Sequence, residues 1–379
     1  MQKSNNIQFV LQRPLKDIKA NLIQTMNMCL GMALNKQKVS LLLPIEISEA
    51  EADSILDSIL SNYSNYFEVT FIPYKTKFKI ADEFDRFFCL RKHIEFSSDF
   101  VFTRSPLITI YCALKGQKVI YESHNSYFAK QKHLNLLYTF IFRRITKRES
   151  FSLFVTISEN LNKFWIKNGI QSGKTIGLHD GTSVPKSLDN VKIPYENEKL
   201  LVTYTGSLYE DRGIERIIEL AKNFTELNFL VVGGPKENAD SYRKSCVSDN
   251  IANIRFIGPV EHNKVASYLS KSDILLALWS SKVPTIDYCS PLKVFEYMAS
   301  NKLIVADGFI TIKEVLSHNE NAVLVEPDDY NSLEIAFKKI MENKDHYLNL
   351  GKNNIDLIHS YYSWENRSNK ILNKLNEIQ

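Results

Sequence analysis

The sequence predicts an α/β protein of two Rossmann-like domains, each with a parallel sheet covered by helices. Short β-rich apolar runs alternate with amphipathic stretches along the whole chain, which is the pattern of parallel sheets packed under helices. The chain has 379 residues, more than one hydrophobic core usually serves, so two domains of ordinary size are expected.

Twelve apolar runs are the predicted strands, six in each half of the chain. Those of the first half are IQFVLQ (7–12), VSLLLP (39–44), FEVTFIP (67–73), FVFTR (100–104), KVIYES (118–123) and LFVTIS (153–158). Those of the second half are LLVTYTG (200–206), NFLVVGG (228–234), IRFIG (254–258), ILLALW (274–279), KLIVAD (302–307) and AVLVEP (322–327). The polar, turn-rich stretch between the two sets predicts a linker. We therefore expect a first domain over 1–185, a linker over 186–198, a second domain over 199–358 and a C-terminal segment over 359–379.

Composition excludes several classes of protein. The five cysteines are scattered without a Cys-x-x-Cys pair, which argues against zinc knuckles and against a secreted disulfide framework. No apolar run reaches 18 residues and the N-terminus is too polar for a signal peptide. These features predict a soluble chain in a reducing cytoplasm.

Charge is unevenly distributed, although the net charge is only +4. Residues 101–150 contain nine Lys or Arg and two Asp or Glu, a local balance of 9 − 2 = +7. In the segment 130–148, basic residues flank the apolar run Leu136 to Phe142. Such a segment can rest on an anionic membrane surface, and the alternative is a partly buried helix with solvated basic ends. The absence of a nucleic-acid-binding motif argues against a nucleic-acid partner.

The stretch SPLKVFEYM (290–298) has the features of an anion-binding helix start. Ser290 suits the N-cap and Pro291 the first helical position, where free N–H groups attract an anion. Lys293 in the first turn opposes the helix dipole at a cost of up to about 1 kcal/mol, which a bound phosphate would reverse. Glu296, one turn later, can accept two hydrogen bonds from a ribose diol. The spacing fits a nucleotide; the alternative is an ordinary Lys–Glu pair on a solvated face.

A second stretch, SPLITIYCALKG, opens in the same way at Ser105. It has Ile108 and Tyr111 where the later stretch has Lys293 and Glu296. Starting a helix in this chain therefore does not require the two charged residues.

The loop within YTGSLYEDRGIE (204–215) suggests a second phosphate ligand. Gly206 ends a predicted strand, and Arg212 lies before a helix, where a guanidinium could bind a diphosphate through two hydrogen bonds. Another loop, GGPKE, follows a strand at Gly233, but neither it nor any other stretch matches G-x-G-x-x-G. Dinucleotide-dependent redox chemistry therefore loses its main support.

With these motifs the second half closely resembles the retaining, nucleotide-sugar-dependent glycosyltransferases of family 4. Seven landmarks occur in the family's order and spacing over residues 200–367: YTGSLYEDRGIE, NFLVVGG, IRFIGPV, SYLSKSDILLALW, SPLKVFEYMASNKLIVA, NAVLVEPDD and YYSWENR. The first half is similar more loosely, through TRSPLITIYCALKGQKVIYESH, VTISENLNKFWIKNG and HDGTSVPKS. The resemblance implies the GT-B fold, with two facing Rossmann-like domains, an interdomain cleft and a last helix that crosses back to the first domain.

The resemblance also implies roles for residues of the second half. Arg212 and Lys293 would hold the donor diphosphate and neutralise the leaving group, and Glu296 would bind the ribose. The other expected phosphate-site residues are Gly206, Ser207, Gly233, Ser290, Pro291 and Leu292. In such enzymes the leaving phosphate takes the acceptor proton, so transfer with retention needs no protein nucleophile, cofactor or metal ion.

The donor-sugar site departs from the family pattern at one position. Most members have a glutamate eight residues before the ribose glutamate, and Tyr288 stands there in this chain. Asp287, Tyr288 and Cys289 are therefore the candidate sugar contacts of the second half. His124, after the strand that ends in YESH, is the catalytic and sugar-contacting candidate of the first half, and the alternative for it is a structural role.

Four polar residues of the first half are further candidates. Arg104 and Glu122 end or follow predicted strands and are candidate cleft residues. His179 and Asp180 could be active-site residues, but their place in HDG favours a turn before the linker.

The predicted function is transfer of a sugar from a nucleoside-diphosphate sugar to a saccharide or lipid-linked saccharide in bacterial surface-glycan assembly. The segment 130–148 would hold the protein at the inner face of the membrane. The alternatives are a nucleotide-sugar epimerase or hydrolase of the same fold, and a catalytically silent nucleotide-sugar binding subunit.

Overall fold

The computed structural model describes residues 4–16, 18–75, 82–185, 187–195 and 198–378. It divides into two compact units: unit 1 is Met1–Asp180 with Ser363–Gln379, and unit 2 is Gly181–Tyr362. The sequence predicts the change of domain slightly later, within 186–198. Of that expected linker, Lys186, Glu196 and Asn197 lie outside the described residues.

Unit 1 is built on a parallel sheet of seven strands among its described residues. The strands are β1 (Asn6–Val10), β2 (Lys38–Ile45), β3 (Glu68–Pro73), β4 (Phe100–Thr103), β5 (Val119–Ser123), β6 (Phe151–Thr156) and β7 (Thr175–Gly177). Their order is β3-β2-β1-β4-β5-β6-β7. The first six are the predicted strands. The short edge strand β7 was not predicted, because its three residues contain no apolar run.

Helices connect these strands, and the last helix of the chain also belongs to unit 1. Helix α15 contacts α1 and its residues are counted with unit 1. The helices are α1 (Ala20–Leu34), α2 (Glu49–Ile59), α3 (Asp82–Leu90), α4 (Pro106–Leu114), α5 (Lys132–Ile145), α6 (Glu159–Lys167) and α15 (Trp364–Ile378).

Unit 2 is built on a parallel sheet of six strands in its described residues, all of them predicted. They are β8 (Leu201–Thr205), β9 (Asn228–Val232), β10 (Ile254–Gly258), β11 (Ile274–Ala277), β12 (Leu303–Asp307) and β13 (Val323–Val325). Their order is β10-β9-β8-β11-β12-β13. The helices are α7 (Ile214–Asn223), α8 (Lys236–Ser248), α9 (His262–Ser270), α10 (Leu292–Ala299), α11 (Ile310–Lys313), α12 (Tyr330–Glu342), α13 (Lys344–Leu350) and α14 (Asn354–Leu357).

The sheet of unit 2 is buried on both faces. Along β11, Ile274 and Leu276 pack into the cluster on one face, and Leu275 and Ala277 pack into the cluster on the other. Successive side chains of a strand point to opposite faces, so a strand covered on both sides must be apolar at every position. This requirement explains why the strands were readable as continuous apolar runs.

Strand order defines one special position in unit 2. β8 and β11 are neighbours, and the chain proceeds from them towards opposite edges of the sheet. In open parallel sheets, ligands bind beyond the carboxyl ends of the strands at such a switch point. The loops that follow β8 and β11 are therefore the place to look for a ligand site.

Candidate functional site

The loops after β8 and β9 open a space through two glycines with unusual backbone conformations. Gly206 has φ 138° and Gly233 has φ 142°, values that L-residues with side chains rarely adopt. A Cβ atom on Gly233 would overlap the carbonyl oxygen of Gly206, and a Cβ on Gly206 would lie 2.9 Å from Nζ of Lys293. Both glycines thus allow backbone and lysine to approach the same point.

Helix α10 carries Lys293 to this point because its next turn is fixed to β8. The hydroxyl of Tyr297 is fully buried, accepts a 2.9 Å hydrogen bond from the N–H of Thr205 and lies 3.3 Å from the carbonyl oxygen of Leu276. Tyr297 follows Lys293 by four residues, so both lie on one face of the helix. The anchor at Tyr297 therefore sets the height of Lys293 above the end of β8.

The ammonium group of Lys293 has aromatic neighbours and, among the described residues, no carboxylate partner within 4.0 Å. Its Nζ atom lies 4.0 Å from the ring centroid of Tyr204 and 5.2 Å from that of Trp279. No ion pair within 4.0 Å joins Lys293 to Glu296 in the described structure, which disfavours the interpretation as an ordinary solvated pair. Burial, and then the charge of Arg212, lower the pKa of Lys293 to about 7, against an opposing effect of Glu296.

Arg212 is the second cation at this position. It is half-buried, and its Nε atom is buried without a hydrogen-bond partner among the described residues. An unpartnered buried donor of a charged group is costly unless a ligand or water satisfies it. Two neighbouring cations that have no carboxylate partner in the described part of the chain, at a switch point of a parallel sheet, form a site suited to an anion with several oxygen atoms.

Glu296 lies one turn after Lys293 with about a quarter of its side chain exposed. Its Oε1 atom is 3.9 Å from Nε2 of His262, the first residue of α9. Burial raises the pKa of the Glu296 carboxyl, although His262 and Lys293 oppose the shift. The carboxylate therefore lies one helical turn from Lys293, where it can bind the neighbouring part of the same ligand. His262 is a site residue that the sequence did not predict.

A buried ion pair that was also missed holds Trp279 in place. Arg216 donates to both carboxylate oxygens of Asp307, at 2.8 and 2.6 Å, and to the carbonyl oxygen of Trp279 at 2.7 Å. Asp307 also accepts a 2.6 Å hydrogen bond from the N–H of Trp279. The Arg216–Asp307 pair therefore fixes the backbone of Trp279, the residue whose indole ring lies near the ammonium group of Lys293. A buried strand that ends in an aspartate, KLIVAD, was the available signal.

The start of α10 differs from the prediction. Pro291 occupies the N-cap position without a side-chain cap, and Leu292 is the first helical residue. Ser290 is buried and precedes the cap. At α4 the same Ser-Pro-Leu start behaves as expected, because Ser105 accepts the N–H of Ile108 at 3.3 Å.

The three sugar-contact candidates of unit 2 lie on the turn that leads into α10. Asp287 is exposed, and Tyr288 and Cys289 are half-buried. The Cys289 thiol donates to the carbonyl oxygen of Ile286 at 3.4 Å, and burial raises its pKa to about 11. Ser207 lies on the other loop, where its carbonyl oxygen accepts the Tyr204 hydroxyl at 2.9 Å.

In unit 1 several candidate residues contact one buried carboxylate, that of Glu122. Oε1 of Glu122 accepts from Nε of Arg104 at 3.1 Å and from Nε2 of Gln24 at 2.9 Å, and it lies 2.5 Å from Nε2 of His124. Oε2 accepts from Nη1 of Arg367 at 3.0 Å. The side chain of Glu122 has no exposed surface, whereas a quarter of His124 is exposed.

The turn at His179 and Asp180 belongs to the same group of contacts. Asp180 is buried and accepts from Nε2 of Gln24 at 3.1 Å, and the carbonyl oxygen of His179 accepts from Nε of Arg367 at 2.9 Å. These residues therefore do more than form a turn. Gln24 and Arg367 had no signal in the sequence, since they approach Glu122 from 98 and 245 residues away.

Most of the second unit is similar to a known protein family. The family described as glycosyl transferases group 1 matches residues 186–356. Among curated proteins, none has a sequence that matches this chain.

Solved structures resemble the chain over nearly its whole length. HepE from Anabaena in complex with UDP-glucose has 13% identity and a TM-score of 0.72, over 98% of this chain and 100% of that one. Sucrose-phosphate synthase from Thermosynechococcus elongatus has 15% identity and a TM-score of 0.73, over 98% of each chain. WaaG, a glycosyltransferase involved in lipopolysaccharide biosynthesis, has 13% identity and a TM-score of 0.65, over 98% of this chain and 99% of that one. At such identities the likeness shows the fold.

Proposed function

We propose that this chain transfers a sugar from a nucleoside-diphosphate sugar to a saccharide or lipid-linked saccharide. The proposal rests on the GT-B fold and on the match of residues 186–356 to the family of glycosyl transferases group 1. The observation that carries the proposal is a pair of neighbouring cations, Arg212 and Lys293, at the switch point of unit 2, for which the described residues provide no carboxylate partner. Bound UDP-glucose in HepE supports a donor of this class.

In the proposed mechanism the two cations act on the leaving group. Negative charge grows on the diphosphate as the bond to the sugar breaks, and preorganised positive groups stabilise that charge most effectively in a half-buried site. Arg212 and Lys293 would take this part, so the chemistry needs no metal ion or cofactor. Glu296 would accept the ribose hydroxyls, and the leaving phosphate would take the proton of the acceptor hydroxyl on the same face, with retention at the anomeric carbon.

The proposed biological setting is the assembly of a bacterial surface glycan. WaaG is involved in lipopolysaccharide biosynthesis, which supports a bacterial surface glycan as the product. No helix among the described residues is both long and apolar enough to cross a membrane.

Helix α5 supports contact with a membrane surface. Tyr138, Phe142 and Ile145 are buried, so the helix packs on unit 1. On the other side Leu136, Leu137 and Phe140 are 63%, 52% and 52% exposed, and the guanidinium of Arg144 stacks on the ring of Phe140 at 3.5 Å. An apolar strip edged with cations suits the boundary between anionic headgroups and acyl chains.

Liposome sedimentation tests the membrane contact. Neutralising four exposed cations together should release the protein from vesicles that contain an anionic phospholipid: Arg143, Arg144, Lys147 and Arg148. A matched control removes four exposed lysines of unit 2 instead: Lys222, Lys271, Lys338 and Lys344. Equal retention of both proteins on the vesicles would remove the membrane proposal.

A thermal-shift screen against UDP, GDP, CMP and their sugars tests the donor assignment. A ligand present at about 100 times its dissociation constant should stabilise the native protein by roughly 2.7 kcal/mol. Lys293→Ala should lose most of this shift, and Lys222→Ala should keep it. A Lys293→Ala protein with the full shift would contradict the diphosphate site.

Tyr288, at the position of the usual family glutamate, favours a second candidate, a catalytically silent nucleotide-sugar binding subunit; an epimerase or hydrolase of the same fold is the other alternative. An epimerase or hydrolase would convert the nucleotide sugar without any acceptor, which chromatography of the nucleotide sugars detects. A silent binding subunit would show the thermal shift with no turnover for any donor and acceptor pair.

A further inference from the structure

The buried carboxylate of Glu122 accepts every hydrogen bond that reaches it. Arg104, Gln24 and Arg367 all donate to it through nitrogen atoms, at 2.9 to 3.1 Å. Burial by itself would raise the pKa of Glu122, but Arg367, Arg104 and His124 together bring that pKa well below its ordinary value. An ionised carboxylate has no proton to give, so it can only accept.

His124 is the partner whose chemistry this arrangement decides. Its Nε2 atom lies 2.5 Å from Oε1 of Glu122, a distance at which two atoms without a proton between them would repel each other. Because Glu122 supplies no proton, Nε2 must carry it. In the neutral ring the other nitrogen, Nδ1, is then an acceptor.

We infer that Arg367 and Glu122 are positioning residues, which hold His124 in the Nε2–H tautomer so that Nδ1 accepts a hydrogen bond from a sugar hydroxyl. The choice of a sugar hydroxyl rests on the proposed function, whereas the choice of tautomer rests on the contacts alone. The C-terminal helix α15, through Arg367, thereby acts on a residue at the end of β5.

Arg367 is suited to this task because its own position is fixed. Its side chain is 1% exposed, and it also donates to the carbonyl oxygens of His179 at 2.9 Å and Leu178 at 3.3 Å. The guanidinium therefore cannot leave Glu122 without breaking several hydrogen bonds. Arg104, by comparison, has about a fifth of its side chain exposed.

A purely structural role is the alternative, in which the cations only neutralise a carboxylate that folding has buried. The two roles differ in what they require of His124. A structural role leaves its tautomer free, whereas the positioning role fixes it and couples it to turnover.

Nuclear magnetic resonance of the full chain labelled with ¹⁵N-histidine measures the tautomer directly. Long-range ¹H–¹⁵N spectra distinguish the two neutral forms of each of the eight histidines, and the signal lost in His124→Ala assigns the ring. We expect His124 in the Nε2–H form in the unmodified protein. A predominant Nδ1–H form there would overturn the inference without any variant.

Two variants test the part of each positioning residue. Glu122→Gln and Arg367→Met should each give a mixture of tautomers, because an amide or a protonated carboxyl can donate to Nε2 as well as accept from it. Lys374→Met, which removes a cation from an exposed ion pair of α15, should leave the His124 signal unchanged. An unchanged signal in both Glu122→Gln and Arg367→Met would overturn the inference.

Steady-state kinetics links the tautomer to turnover. Glu122→Gln keeps the size of the side chain and leaves Asp180, 3.9 Å from Nε of Arg367, to balance part of the buried positive charge. It should lower kcat about tenfold or more, in the direction that a wrong histidine tautomer produces in serine proteases. Its KM for the donor and its nucleotide-induced thermal shift should stay within about twofold of the parent. An unchanged kcat together with an altered tautomer would contradict the positioning role. Failure of the parent protein to bind any nucleotide would instead refute the proposed function and leave the tautomer result standing.

Discussion

Donor binding should take up a proton at Lys293. In the free protein, burial and Arg212 lower the pKa of this lysine to about 7. A diphosphate between the two cations would restore the ordinary lysine pKa of about 10.4. The pKa of Lys293 is thus lower in the free protein than in the complex. At a pH between the two pKa values the complex holds more protons than the free protein, so the affinity for the donor falls as the pH rises above 7.

The size of the effect follows from the two pKa values. At pH 8 a group with a pKa near 7 is about one-tenth protonated, so binding should take up roughly 0.9 proton, and at pH 6 only about 0.1. Between pH 6 and pH 8 the dissociation constant should therefore rise about tenfold, or about 1.4 kcal/mol.

Isothermal titration calorimetry in two buffers of different ionisation enthalpy gives the proton count. A nucleotide sugar such as UDP-glucose is the suitable ligand, because its diphosphate has no group that titrates near pH 7. Lys293→Met should abolish the uptake and weaken binding, whereas Lys222→Met should change neither. Uptake below about 0.2 proton at pH 8, with tight binding, would refute the assignment of Lys293.

Three further predictions concern the supports of the site. Arg216→Met should lower the free energy of unfolding by about 3 to 5 kcal/mol, because it leaves Asp307 buried without its cation. Urea denaturation measures this change. As a control, Lys222→Met removes an exposed ion pair and should lower the free energy of unfolding by less than about 1 kcal/mol. Tyr297→Phe should cost about 1 to 3 kcal/mol in the same assay, since the N–H of Thr205 loses its partner, and a cost near zero would show that this anchor is dispensable. Glu296→Leu should remove the preference for a ribonucleotide over its 2′-deoxy form, which we expect to be about 10-fold or more in the parent; equal preference in both proteins, measured by competition binding, would contradict the ribose contact.

Much of the fold was readable from the sequence, for a reason visible in β11. Parallel strands covered on both faces must be apolar at every position, so they form continuous runs bounded by polar turns. The sequence did not predict β7, because an edge strand of three residues, Thr175–Gly177, buries too little apolar surface to require a continuous apolar run.

Two helix starts show where local sequence stops being sufficient. Ser105 and Ser290 both begin Ser-Pro-Leu, yet Ser105 caps its helix and α10 begins one residue later with Pro291 as N-cap. The sequence near each start is almost the same. The hydroxyl of Tyr297 bound at the end of β8 shows that tertiary contacts fix the position of α10.

The sequence by itself determined the fold class, the six strands of unit 2, the loop that carries Arg212 and the helix that carries Lys293 and Glu296. Apolar periodicity and the residues that follow strands are local properties of the chain. Only the tertiary structure decided which charged groups meet. Arg216 reaches Asp307 across 91 residues and Arg367 reaches Glu122 across 245. Such pairs form because a buried charge requires an opposite charge close by in space, and that requirement leaves no periodicity or spacing along the chain.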